Sequence, residues 1–161
     1  MNADAMREYR YRVDGEGRVF HDGTEIVDPA VLRFFLRAMR RTEDGRWLVV
    51  CQGERNWFEV DGTPFVVQRA RLTRDGDGRP TAVELDFAGG LRETLDPTAL
   101  AADGGRLVCR NRSGQLARFG RVALQQLAPL LQEDGRGAAL VLGDARYPIA
   151  VAAEASHGQQ R

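Results

Sequence analysis

The sequence predicts an α+β fold made of two related halves, each a mostly antiparallel sheet carrying one helix. Three observations lead there. Short runs that alternate apolar and polar residues recur along the chain, separated by Asp-Gly, Gly-Gly and Pro-containing turns. Two stretches of helical periodicity interrupt them, at LRFFLRAMRR and LARFGRVALQQLA. Short motifs also return at nearly constant spacing: GRVF at Gly17 is echoed by GRLV at Gly105, and EDGR at Glu43 by EDGR at Glu133.

The elements follow in order. EYRYRV alternates Tyr9, Tyr11 and Val13 with charges, as a half-buried strand does, and DGEG turns it into RVF to open the fold with a hairpin. A short extended piece at Glu25 to Val27 leads to Asp28 before Pro29, an N-cap followed by a proline at the first helical position. On that helix Val31, Leu32, Phe34, Phe35, Leu36, Ala38 and Met39 cover an arc of about 200°, which predicts deep burial of one side. Arg33, Arg37, Arg40 and Arg41 take the other side. RWLVVCQ and NWFEV then read as strands joined at GER, TPFVVQRARLT, TAVELDF and LRETL as an antiparallel meander, and GRLVCRN as a further strand. LARFGRVALQQLA reads as the second helix, ending near Pro129, and AALVL with YPIAV as a final hairpin around GDAR.

With 161 residues the chain is long enough for one compact domain or two closely packed small ones. The expected division is a first half at 8–100, a second half at 101–152 packed on it, and frayed ends at 1–7 and 153–161. All 23 basic residues are arginine and they balance 23 acids, so no net field recruits nucleic acid or an anionic membrane, and no nucleic-acid partner is expected. No apolar run approaches the length of a membrane span, and the N-terminus lacks a signal-peptide core, which reads as a cytoplasmic protein.

The two EDGR motifs predict folding punctuation rather than a duplicated active site. Asp-Gly supplies a left-handed residue after a helix or a tight turn before a strand, so Gly45 and Gly135 are both expected at positive φ or in tight turns. An offset of 88 residues, that between Gly17 and Gly105, sets Phe34 against Val122, Leu36 against Leu124 and Met39 against Leu127. Two extra residues are placed beside Pro129.

YRVDGEGRVFHDGTEI, the LRFFLRAMRR helix, DGRWLVV, FEVDGTPFVV and the second-half LARFGRVALQQL together resemble a bacterial family, domain-of-unknown-function family 1285, from about Tyr9 to Tyr147. The chain departs from it at Val60, Asp61 and Gly62, where the family carries a more acidic segment. The resemblance implies two related β-rich halves, each with a helix and loosely similar to pleckstrin-homology-type modules, and it suggests a signalling role. It supplies no catalytic residues.

Individual residues point to little chemistry. His21 beside Asp22 is read as a turn residue, Cys51 and Cys109 as buried thiols, and DGDGRP as a hairpin turn, because a calcium loop beginning there would place Arg79, Pro80 and Asp86 at ligand or glycine positions. The sequence therefore points to no catalytic residue, cofactor or metal ligand. Two surface features stay open: Arg33, Arg37, Arg40 and Arg41 as an anion or partner surface, and Trp47 and Trp57, expected together on one face of their hairpin, as an interface. The functional expectation is a non-enzymatic binding or interaction module, regulatory in character, with a protein partner or self-association. The alternative is an enzyme or small-metabolite binder with a pocket between the two halves.

Overall fold

The computed structural model describes residues 6–151. The expected frayed ends lie mostly outside that range, although Arg7 already begins the first strand. In chain order the first half supplies β1 (Arg7–Val13), β2 (Val19–His21), β3 (Thr24–Ile26), α1 (Pro29–Ala38), β4 (Arg40–Arg41), β5 (Trp47–Cys51) and β6 (Glu54–Glu59). A middle segment carries β7 (Val66–Val67), β8 (Arg69–Arg74), β9 (Pro80–Asp86) and β10 (Arg92–Thr94). The remainder holds β11 (Ala101–Asp103), β12 (Arg106–Arg110), β13 (Leu116–Phe119), α2 (Arg121–Leu127), β14 (Leu131–Asp134), β15 (Gly137–Leu142), β16 (Ala145–Pro148) and β17 (Ala150–Val151).

The duplication is visible in the pairing. In the first half an antiparallel β1–β2–β3 meander is followed by α1 and an antiparallel β4–β5–β6 meander, and β6 returns to lie parallel to β1. The second repeats this plan: β11–β12–β13, α2, β14–β15–β16, and β17 lying parallel to β11. Burial follows the offset of 88. Phe35 and Ala123 are both buried, as are Met39 and Leu127, while Phe34 and Val122 are both exposed. The offset grows to 90 across a 3-10 turn, Ala128–Leu130, that contains Pro129. Between the halves β8, β9 and β10 form an antiparallel sheet of their own, and one apolar core runs through all three parts.

Several elements depart from their predicted form. The first helix stops at Ala38, and Arg40 and Arg41 form the edge strand β4, because extended Met39 turns its buried side chain into the core and β4 pairs with β5. Only Phe35 of α1 is buried, packed on Tyr11 and Phe58; Val31 and Phe34 face out, at 36% and 43% exposure, since the helix is covered on one side only, by these rings and the turn at Ala88–Gly90. LARF is strand β13, not helix: it pairs with β12 on one side and β7 on the other, and α2 begins only after Gly120. TPFVVQRARLT is likewise divided, β7 joining β13 and β8 joining β9.

Neither EDGR closes a helix. Both are hairpin turns, the first joining β4 to β5 with Gly45 at φ +84°, the second joining β14 to β15 through Gly135 and Arg136. Gly135 does not take positive φ; in that turn the left-handed residue is Gly137, at φ +106°. Trp47 and Trp57 lie on opposite faces of the β5–β6 hairpin. The turn is made by Gln52 and Gly53, so Trp47 pairs with Phe58 and Trp57 with Leu48. A turn displaced by an odd number of register steps sends every side chain to the other face.

Candidate functional site

The β12–β13 hairpin builds a heavily charged concave surface. In RLVCR the period of two puts Arg106, Val108 and Arg110 on one face, and the register sets Arg118 opposite Val108 and Leu116 opposite Arg110. The other face, with Cys109, Ala117 and Phe119, is buried in the core. The arginine face looks toward the first half, where Arg41 of β4, Trp47 and the Gly62–Thr63 segment close a cleft of about 560 Å³. Val108 and Trp47, both buried, give it an apolar floor.

What holds these arginines decides what they can do. Arg118 donates from Nη1 to the carbonyl of Gly15 and from Nη2 to that of Asp14, both at 3.0 Å, and its Nε is buried without a partner. Arg110 donates to the Gly114 carbonyl at 3.1 Å and Arg41 to the Gly45 carbonyl at 3.4 Å, with the Arg41 guanidinium 5.6 Å from the Trp47 ring centre. These partners fix the guanidinium planes without neutralising them. Arg106 alone is matched, by Asp61 at 2.7 Å, and Asp103 adds one further carboxylate to the wall. The cleft therefore carries surplus positive charge. The Arg118 pKa is lowered, first by burial and then by the neighbouring Arg106 charge, whereas hydrogen bonding to Arg106 holds Asp61 below the usual carboxyl value.

Of the four arginines singled out in the sequence, the structure brings only Arg41 into this cleft. Arg33 donates to the Gly89 carbonyl at 2.7 Å and so fastens α1 to the middle segment, Arg37 borders a separate cavity beside Leu91 and Glu93, and Arg40 is exposed on β4. Trp47 is core. Trp57 is half-buried, its ring covered by the Arg46 guanidinium at 3.9 Å and its indole nitrogen 3.5 Å from Glu8. Arg106, Arg110 and Arg118 were missed in the sequence. Their signal was the alternation in RLVCR, which becomes legible only once the core face of the hairpin is known.

No protein-family model matches the chain, and no curated protein matches it. Among solved structures, a DUF1285 family protein from Silicibacter pomeroyi superposes with a TM-score of 0.62 over 94% of this chain and 86% of its own, at 20% identity. A DUF1285 family protein from Shewanella baltica does so with a TM-score of 0.53 over 79% of this chain and 94% of its own, at 11% identity. The chain has the DUF1285 fold. The resemblance to that family in the sequence thus agrees with the fold.

Within the DUF1285 fold the other chemical candidates are occupied structurally. His21 packs between Tyr9 and Tyr11, with ring centres 6.0 and 4.8 Å away. Burial, with a smaller contribution from Glu93, pushes the Cys109 thiol up to about 12, far from a reactive thiolate. The DGDGRP segment is the β8–β9 turn, in which the Asp75 carboxylate accepts from the backbone nitrogens of Asp77 and Arg79. Among the described residues no three His, Cys, Asp or Glu side chains gather as a metal group would require, and no helix is long and apolar enough to cross a membrane.

Proposed function

We propose that this protein is a binding module whose cleft between the two halves captures an anionic ligand bearing carboxylate or phosphate groups. One observation carries the reading: Arg41, Arg110 and Arg118 hydrogen-bond to neutral carbonyl oxygens, and although the Asp61, Asp14 and Glu16 carboxylates act on Arg118 from nearby, Arg41 and Arg110 keep oriented charge that no hydrogen-bonded carboxylate matches. Guanidinium groups fixed in this way match planar or tetrahedral oxyanions and pay little ordering cost on binding. The apolar floor of Val108 and Trp47 lowers the local dielectric and strengthens the attraction. The reading is binding rather than catalysis because guanidinium is a permanent donor and does not shuttle protons near neutral pH.

Calorimetric titration with citrate and with pyrophosphate at low and moderate salt tests this. Saturable binding that weakens with salt, and that falls by about tenfold when Arg110→Gln removes one exposed guanidinium, is expected. No binding, or binding indifferent to Arg110→Gln, would overturn it.

A further inference from the structure

We propose that the cleft is one end of a longer groove, and that the groove takes an extended peptide segment of a partner protein in which acidic residues are separated from an aromatic one by a short stretch of chain. This rests on the cleft being an anion site and goes further in naming the occupant.

The cleft does not end at the first half. A second cavity, of about 590 Å³, lies along β1 and β6 and shares two lining residues with it, Trp47 and Gly62. The Trp47 indole nitrogen donates to the Gly62 carbonyl at 3.2 Å, so these two residues form a fixed saddle between the cavities. Either cavity alone falls within the roughly 300–1,000 Å³ of small-molecule pockets; together they exceed it. An elongated occupant fits that shape better than a compact one.

The two ends differ in chemistry. The cleft end has surplus guanidinium charge. At the far end the charges cancel, Arg46 against Asp44 at 2.9 Å, Glu8 against Arg55 at 3.7 Å and exposed Arg10 and Glu59 with one charge of each sign, and the apolar feature is the half-buried Trp57 beside Val60. That end offers aromatic surface with a cation over it, which suits an aromatic side chain rather than another carboxylate. The edge strand β4 supplies the third element. It is the last strand of its sheet, paired only with β5, and its Arg41 lies in the cleft wall. The strand register aligns Arg41, Trp47, Phe58 and Tyr11 across the sheet, so the groove crosses the strands and it is the Arg41 side chain, not the β4 backbone edge, that meets an extended occupant. Acidic residues at one end, an aromatic residue at the other and extended backbone between them describe one ligand.

Fluorescence anisotropy with a labelled hexapeptide, three glutamates followed by two glycines and a phenylalanine, made in both chain directions, tests the groove. One direction is expected to bind, and replacing its phenylalanine with alanine to weaken binding by about tenfold. Trp57→Ala and, as a milder change that spares the fold, Arg46→Gln are each expected to weaken the phenylalanine peptide and leave citrate binding unchanged. Arg110→Gln is expected to weaken both. If the alanine peptide binds as tightly as the phenylalanine peptide, or a single-stranded oligonucleotide of equal charge binds as well as either, the groove proposal falls while a citrate response to Arg110→Gln keeps the anion cleft. If neither peptide nor citrate binds, both readings fall together.

Discussion

The two halves share one strand plan but stand differently. The first largely supports itself: β1 and β6 run parallel in register over six residue pairs, from Arg7 with Glu54 to Arg12 with Glu59, and α1 is capped by its own Asp28, whose carboxylate accepts from Ala30 N at 2.9 Å. Among the described residues the second closes with two parallel pairs, Ala101 with Ala150 and Ala102 with Val151, at the end of the described chain. Its helix has Gly120 at the N-cap and no cap of its own; Glu16, from the β1–β2 turn of the first half, accepts from Arg121 N at 2.8 Å instead. Its sheet edge is covered by β7, and Arg118 reaches across to the same β1–β2 turn. The first half thus holds its helix cap and closing strand within itself, and the second draws its helix cap from the joint between them. The strands of that joint, β12 and β13, are also the strands that face the cleft, so ligand binding and the contact between halves share Arg118.

This contrast can be broken at graded cost. The largest effect is expected where α1 meets the middle segment. Gly89 has φ +76°, and a Cβ there would come within 2.7 Å of the Arg33 backbone nitrogen and 2.9 Å of the Pro29 carbonyl. Neither is a flexible side-chain end that could move aside, so Gly89→Ala should cost about 3 kcal/mol or more in urea unfolding. A near-neutral result would mean that α1 is not seated on this turn.

Next comes the joint. Arg118→Met keeps the aliphatic stem but leaves the Asp14 and Gly15 carbonyls without their donor, a loss of about 2–3 kcal/mol. Hydrogen exchange should then rise in β12, β13 and α2 more than in β5 and β6; a uniform rise would contradict the dependence of the second half on the first.

The two helix caps give a direct pair. Asp28→Ala should cost about 1 kcal/mol and Glu16→Ala about 1–2 kcal/mol, the second being larger because it removes a cap and a contact between the halves in one step. Thermal unfolding of the single variants and the double variant measures both, and equal costs would make the joint no more than a cap.

The smallest effects separate the two EDGR turns. Gly45→Ala forces alanine to φ +84° and should cost about 1 kcal/mol. Gly135, with no positive φ and open space where a Cβ would go, should tolerate alanine within about 0.5 kcal/mol.

How legible these features were follows from their range along the chain. Asp28–Pro29, the Asp22–Gly23 turn and the alternation of β1, β9 and β12 act within a few residues, and the sequence displays them. LARF reads as helix because Leu116 and Phe119 continue a spacing that suits a helix with Val122 and Ala123; β12 just before it and β7, some fifty residues earlier in the chain, pair with it on either side and make it a strand. The faces of Trp47 and Trp57 depended on which residues turn the hairpin, and GER offered two registers. Arg110 and Arg118 were visible as charges, but the carbonyl partners of Arg118, at Asp14 and Gly15, lie about a hundred residues away, and no local pattern encodes them. The duplication was readable because both copies kept the same turns and the same buried helix positions.

The central claim is that the guanidinium groups of the cleft, and not arginines in general, form the anion site. The most direct measurement is two-dimensional NMR of the arginine side-chain Nε–Hε signals during a citrate titration at low salt. The prediction is saturable shifts at Arg41, Arg110 and Arg118, whose buried Nε lacks a partner, with Arg33 and Arg37 unmoved. Shifts of similar size and linear concentration dependence at every exposed arginine would show only non-specific screening and would contradict the account.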